Sequence, residues 1–166
     1  MTEGEERRLR PPNNTLNERA VAWWRAQWLL LTLAPVAVLG VLGTLIAPAR
    51  VWLLVPAAAL AVLGLACTVF LPMWWFRVHR WEVTDDAVYV RTGYFWQEWR
   101  IAPMSRIQTV DTVRGPLEQL FKLSTVIVTT ASSKGAVRIE GLGHELAAEL
   151  AEQLTHITQA TPGDAT

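Results

Sequence analysis

Two long apolar segments lie close to the N-terminus. The chain has no charged residue from Trp28 to Ala49, and after Arg50 the segment Val51–Phe76 is again free of charge. A helix rises 1.5 Å per residue, so a hydrocarbon core about 30 Å thick needs about 20 apolar residues. Neither segment has the polar stripe of a soluble amphipathic helix. The pattern predicts a transmembrane hairpin over residues 20–76, with spans at about 28–47 and 51–76.

Tryptophans cluster at the ends of these segments. The chain has nine tryptophans, a high number for 166 residues. Indole rings prefer the membrane–water interface, so tryptophans at helix ends are typical of membrane proteins. We therefore predict two interfacial belts made of Trp23, Trp24, Trp28, Trp52, Trp74 and Trp75.

The arginines around the hairpin predict its orientation. Arg7, Arg8, Arg10, Arg19 and Arg25 precede the first span, Arg77 and Arg80 follow the second, and the turn has only Arg50. Loops rich in Lys and Arg stay on the cytoplasmic side. The sequence thus predicts a multi-pass protein of the plasma membrane with both termini in the cytoplasm, whose first partner is the lipid bilayer.

The two ends of the chain are polar. Residues 1–19 are rich in Arg, Glu, Pro and Asn, and residues 161–166 include Pro162-Gly163. Segments with so few apolar residues have little to bury. We expect both to be disordered tails.

Residues 77–160 have the pattern of a small α+β domain. Short runs of alternating polar and apolar residues, rich in Val and Thr, predict antiparallel strands. The final segment, His144–Thr158, has apolar residues at helical spacing. The predicted fold is an antiparallel sheet or partial barrel capped by a C-terminal helix, with these strands: residues 79–84, 87–92, 94–101, 107–114, 123–130 and 137–140, and a helical turn at 117–121.

Charge and motifs give no sign of an enzyme. Net charge is zero, and from Arg77 onward nine Lys and Arg face eleven Asp and Glu, which argues against nucleic acid. Cys67 is the one cysteine, so the chain has neither an internal disulfide nor a cysteine-based zinc site. His79, His144 and His156 include no pair with metal-ligand spacing such as i, i+4. We expect no catalytic, cofactor-binding or metal-binding residues.

Three stretches resemble a known family. They are Trp81–Gly93, which reads WEVTDDAVYVRTG, then Pro103–Leu117 with Pro-Met-Ser-Arg-Ile-Gln and Gly-Pro-Leu, and Phe121–Ala131. A small OB-type barrel is an alternative, but that fold usually places its helix between strands, whereas a terminal helix suits the PH-like layout better. The chain resembles YdbS-like bacterial pleckstrin-homology (PH-like) domain proteins, which place two membrane helices directly before the domain. The family commonly has glycine where this chain has Lys122. Glycine suggests a special backbone angle, so we expect either strain at Lys122 or a different loop.

The resemblance implies a binding function. Family members are expected to associate with other membrane proteins that carry PH-like domains, or with themselves, through sheet edges or loops. Two alternatives remain open, namely binding of anionic lipid headgroups and a role as accessory subunit of a transporter or stress-response complex. The residues of the predicted interaction surface are Tyr94, Trp96, Arg100, Arg106 and Arg114.

Overall fold

Two long helices form a hairpin. The computed structural model describes residues 12–93, 96–131 and 135–160. Helix α1 spans Arg19–Leu45 and helix α2 spans Arg50–Val78, joined by a 3-10 turn at Ala47–Ala49. Helix α2 contains the predicted span 51–76, whereas α1 ends two residues before the predicted end of the first span at residue 47. Both helices are long and apolar enough to cross a membrane. The structure divides into two compact units, Val21–Trp74 and a second unit formed by the residues before and after that range.

Small residues form the contact between the two helices. A methyl group added at Gly64 would lie 2.1 Å from Thr32 Cγ2, and one added at Gly43 would lie 2.7 Å from Leu54 Cδ2. Thr32 hydrogen-bonds its hydroxyl to the carbonyl of Trp28, so the polar group is satisfied within its own helix. Close backbone approach through small residues is typical of membrane helix pairs.

The rest of the hairpin surface is apolar and exposed. Leu31, Val62 and Phe70 are 67%, 71% and 71% exposed. Exposure of so much apolar surface to water is unfavourable, whereas the hydrocarbon chains of lipids would solvate it. The distribution of apolar residues therefore agrees with a hairpin that faces hydrocarbon.

The segment before α1 belongs to the folded domain. Strand β1, Asn14–Thr15, pairs with strand β2, Arg80–Val83. Leu16 is 5% exposed, and the indole Nε1 of Trp81 donates a hydrogen bond to Thr15 O at 3.2 Å. The prediction that residues 1–19 form a disordered tail is therefore wrong from Asn14 onward, because this segment pairs its backbone and buries an apolar side chain. Residues 1–11 and 161–166 lie outside the described residues.

Two antiparallel sheets and a helix complete this unit. The first, sheet A, has the order β1-β2-β3-β4, with β3 at Ala87–Gly93 and β4 at Gln97–Pro103. Sheet B has the order β5-β6-β7, and helix α4 contacts all three of its strands. The remaining elements are β5 Ile107–Val113, α3 Pro116–Leu120, β6 Leu123–Thr130, β7 Val137–Gly143 and α4 His144–Ala160.

The core lies between the sheets and under α4. Alternate residues of the strands point inward, so Val88, Val126 and Ile139 are almost completely buried. On α4, Ala147, Leu150 and Leu154 are buried, whereas Leu146, predicted on the apolar face, is 42% exposed. The predicted fold class is confirmed. Strand β7 runs three residues beyond its predicted end at Glu140.

Helix α3 shows why the Gly-Pro-Leu-Glu segment has its form. Pro116 occupies the first turn of the helix, where a backbone N–H has no partner within the helix, so the missing N–H of proline breaks no hydrogen bond. The carboxylate of Glu118 is buried and accepts hydrogen bonds from the Gly115 N–H and the Thr125 hydroxyl, both at 2.6 Å. One side chain thus caps the helix and fixes it to β6.

Lys122 has the backbone conformation that the family's glycine suggests. Its φ is 56°, and it is the single non-glycine residue with positive φ among the described residues. L-residues are disfavoured in this region because Cβ approaches the following carbonyl oxygen. The expectation of a strained backbone at this position is confirmed.

Candidate interaction cleft

The structure brings two of the predicted interaction residues together. Trp96 and Arg100 line the same cleft, and Trp96 is 88% exposed. Arg106 lies instead in a 3-10 turn after β4, and Arg114 donates its Nε–H to Leu123 O at 3.1 Å. These two arginines are therefore outside the cleft. Tyr94 lies outside the described residues.

The cleft lies between sheet A and strand β7. Its volume is about 590 Å³, within the usual range of ligand pockets. One wall comes from β3 and β4 and the other from β7, and His79 also lines the cleft. The lining residues are His79, Val90, Thr92, Gly93, Trp96, Glu98, Arg100, Ala136, Arg138 and Glu140.

Acids and bases balance one another in this lining. Arg100 donates its Nε–H to Glu98 Oε1 at 2.9 Å and its Nη1–H to Ala136 O at 3.1 Å. On the opposite wall, Arg138 and Glu140 are two residues apart in strand β7, so their side chains project to the same side. Burial raises the pKa of Glu140, an effect that Arg138 partly offsets. The cleft therefore offers donors and acceptors in similar number and no excess of positive charge.

His79 is the first residue after helix α2. Its Nδ1 lies 2.8 Å from Trp75 O, so this nitrogen must carry the proton and donate it to the carbonyl. The side chain is buried, and desolvation lowers its pKa, with nearby Arg91 acting in the same direction. His79 is therefore a neutral group at pH 7 that fixes the cleft to the end of the helix.

Two features of the described residues bear on catalytic chemistry. Among the described residues, no group of three His, Cys, Asp or Glu side chains could hold a metal ion. Ser124 Oγ lies 3.3 Å from His144 Nδ1, but Ser124 is fully buried and no substrate could reach it. The pair is better explained as a hydrogen bond that fixes the start of α4 to β6.

Most of the cleft residues were not predictable from sequence patterns. Glu98, Arg138 and Glu140 are not among the predicted interaction residues, and neither is His79. The signal present was an acid and an arginine two positions apart, which in a strand share a face. The sequence does not show that β7 pairs with β6 rather than with β4. That pairing decides which strands form the two walls of the cleft.

The six predicted interfacial tryptophans have different environments. Trp52 and Trp74 are 83% and 60% exposed, as lipid-facing residues would be. Trp23 and Trp24 are buried, with their rings stacked at 6.0 Å between centroids. Their burial leaves little side-chain surface for lipid contact, and their place in a belt stays a prediction. Trp28 and Trp75 are partly exposed, and for them, as for Trp52 and Trp74, the belt stays a prediction.

These features define a PH-like domain that follows an apolar helical hairpin. The chain belongs to the Bacterial PH domain family, which matches residues 29–158. It is similar to UPF0699 transmembrane protein YdbS of Bacillus subtilis (strain 168), with 34% identity over 98 residues. That match covers 58% of this chain and 60% of the relative, so the chain spans less than two thirds of the relative's length. No solved structure matches the chain.

Proposed function

We propose that the protein is a non-enzymatic PH-like module, anchored in the plasma membrane by its hairpin, that binds other membrane proteins or a second copy of itself. The anchoring is supported by the two apolar helices and by the name of the relative, which calls that protein a transmembrane protein. An accessory subunit of a larger complex would use the same kind of binding.

The proposed topology places both termini in the cytoplasm. Arginines on both flanks of the hairpin outnumber the single Arg50 of its turn. The pairing of β1 with β2 supports one part of this topology, because it requires the chain before α1 and the chain after α2 to meet on the same side. A reporter fused to the C-terminus should be active in the cytoplasm. Activity on the outer side would contradict the proposed orientation.

The charge-balanced cleft is the observation that carries the binding proposal. Its walls present Glu98 with Arg100 and Arg138 with Glu140, which suit a polar peptide segment with donors and acceptors of its own. An anionic headgroup would prefer a cluster of unpaired Lys and Arg. Since His79 lines the cleft directly after α2, a juxtamembrane segment of a neighbouring membrane protein could reach it.

Site-specific photocrosslinking in the native membrane tests this proposal. The full-length protein carries p-benzoyl-phenylalanine in place of Arg138, which is exposed on the cleft wall. We expect an adduct with a membrane protein or with a second copy. The matched control carries the same group in place of Glu152, exposed on α4, and should give no such adduct. Monomer alone at both positions would refute protein binding at the cleft, and lipid adducts at position 138 would favour headgroup binding.

A further inference from the structure

One end of sheet A lies at the point where helix α2 ends. Strand β2 begins at Arg80, two residues after the last residue of α2. Arg80 pairs with Arg91 near the end of β3, and Arg91 donates its Nε–H to Val78 O at 2.9 Å. Because β3 is antiparallel to β2, the turn from β3 to β4 lies at this end. The opposite end, at the turn containing Asp85, is about 20 Å away along β3.

Trp96 is held at this end with its indole uncovered. Gly93 has a φ of +142°, and a methyl group added there would lie 2.0 Å from Trp96 O, so the backbone of Trp96 packs closely against the glycine. The side chain of Trp96 is nevertheless 88% exposed. An indole in this situation presents a large apolar surface with a polar N–H, the combination that favours a membrane–water interface.

Arginines gather around the same end. Arg80 and Arg91 are direct partners across β2 and β3, so their like charges lie on one face, where they disfavour each other. Arg77 precedes them in the last turn of α2. None of the three forms an ion pair within the part of the chain that the structure describes, although Arg91 lies over the Trp99 ring at 5.6 Å. An anionic surface would relieve this repulsion.

We propose that this end of sheet A contacts the phospholipid interface of the membrane that holds the hairpin. Trp96 enters the headgroup layer, and Arg77, Arg80 and Arg91 face lipid phosphates. This contact rests on the proposed anchoring by the hairpin, but it is separate from partner binding. It leaves the Arg138 wall of the cleft available to a protein partner.

Spin-label depth measurements on the full chain test the contact. With Cys67→Ala as background, single nitroxides are placed at Trp96→Cys, Asp85→Cys and Val62→Cys in vesicles with and without anionic phospholipid. Access to oxygen, which concentrates in lipid, is compared with access to a water-soluble nickel chelate. We expect the ratio of oxygen to nickel access to be several-fold higher at position 96 than at position 85.

Position 62, on the exposed surface of α2, separates the two hypotheses. If positions 62 and 96 are both aqueous, the membrane anchoring itself fails. A lipid signal at position 62 with an aqueous one at position 96 would overturn the contact alone. Low access to both reagents at position 96 would also overturn it, because protein would then cover the turn.

A charge variant tests the arginine part. Arg80→Gln should move the position 96 label toward water in anionic vesicles and have little effect in zwitterionic ones, whereas Arg80→Lys should restore the depth. Equal depth for Arg80→Gln and the parent chain in anionic vesicles would refute the role of the arginines.

Discussion

Replacement of Lys122 by glycine should stabilise the domain. Lys122 has a φ of 56° and an exposed side chain, so its removal costs little packing. Its backbone N–H donates to Gln119 O and its carbonyl accepts from the His144 N–H, both at 3.2 Å, and glycine would keep these bonds. A left-handed conformation costs an L-residue about 1–2 kcal/mol, while glycine loses about 0.5–1 kcal/mol more entropy on folding. The expected net gain is about 0.5–1 kcal/mol.

Amide hydrogen exchange of the full-length protein in nanodiscs measures this gain. Amides of β6 that exchange through global opening of the domain should be protected about two- to fivefold more strongly, since 1.4 kcal/mol is tenfold. Lys122→Ala is the matched control, because it removes the same side chain but keeps Cβ and therefore the strain. Equal protection in Lys122→Gly and Lys122→Ala, or weaker protection in the glycine variant, would refute the explanation by backbone strain.

Three further predictions follow from the packing and the buried histidine. Leu16→Ala should destabilise the domain by about 2–4 kcal/mol, because the Leu16 side chain is buried. Hydrogen exchange of the β2 amides measures this loss. No effect would mean that β1 is dispensable for stability. Gly64→Ala should destabilise the hairpin by about 1–3 kcal/mol in thermal unfolding. Gly40→Ala is the control and should have no such effect, because its added methyl group meets nothing within 4 Å. Equal effects of the two substitutions would contradict the contact at Gly64. The pKa of His79 is lower in the folded protein than in the unfolded chain, so the unfolded chain binds a proton more readily. The free energy of unfolding therefore decreases as the pH falls from about 6.5 toward the folded pKa. The decrease is at most about 1.4 kcal/mol per pH unit. His79→Gln should reduce that loss in exchange measurements, and an unchanged pH dependence would exclude His79 as its source.

The sequence was sufficient to predict the elements whose signal is local. Charge-free length gave both helices, and alternation gave the six strands after residue 77. The special angle at Lys122 followed from the family's glycine, because the conformation is a property of one residue. Helix α3 was likewise marked by Gly115-Pro116, which act on their own backbone.

Features that depend on distant pairing were not predictable in this way. Strand β1 is two residues long, too short for any periodicity, and its partner β2 follows the entire hairpin. The cleft depends on how β7 approaches sheet A, and no local pattern contains that information. The burial of Trp23 and Trp24 was missed because indole at a helix end suits both a lipid interface and a protein interior.

Strand β1 makes the assembly of the domain dependent on the synthesis of the hairpin. Thr15 and its partner Trp81 are 66 residues apart, so β1 leaves the ribosome before either apolar helix and β2 leaves after both. Until β2 has been synthesised, β1 has no strand to pair with. Without β1, the edge of β2 would be unpaired and could pair with strands of other chains. Leu16 likewise stays unburied until the domain that covers it has been made. Sheet A can therefore close completely only after the whole hairpin has been synthesised.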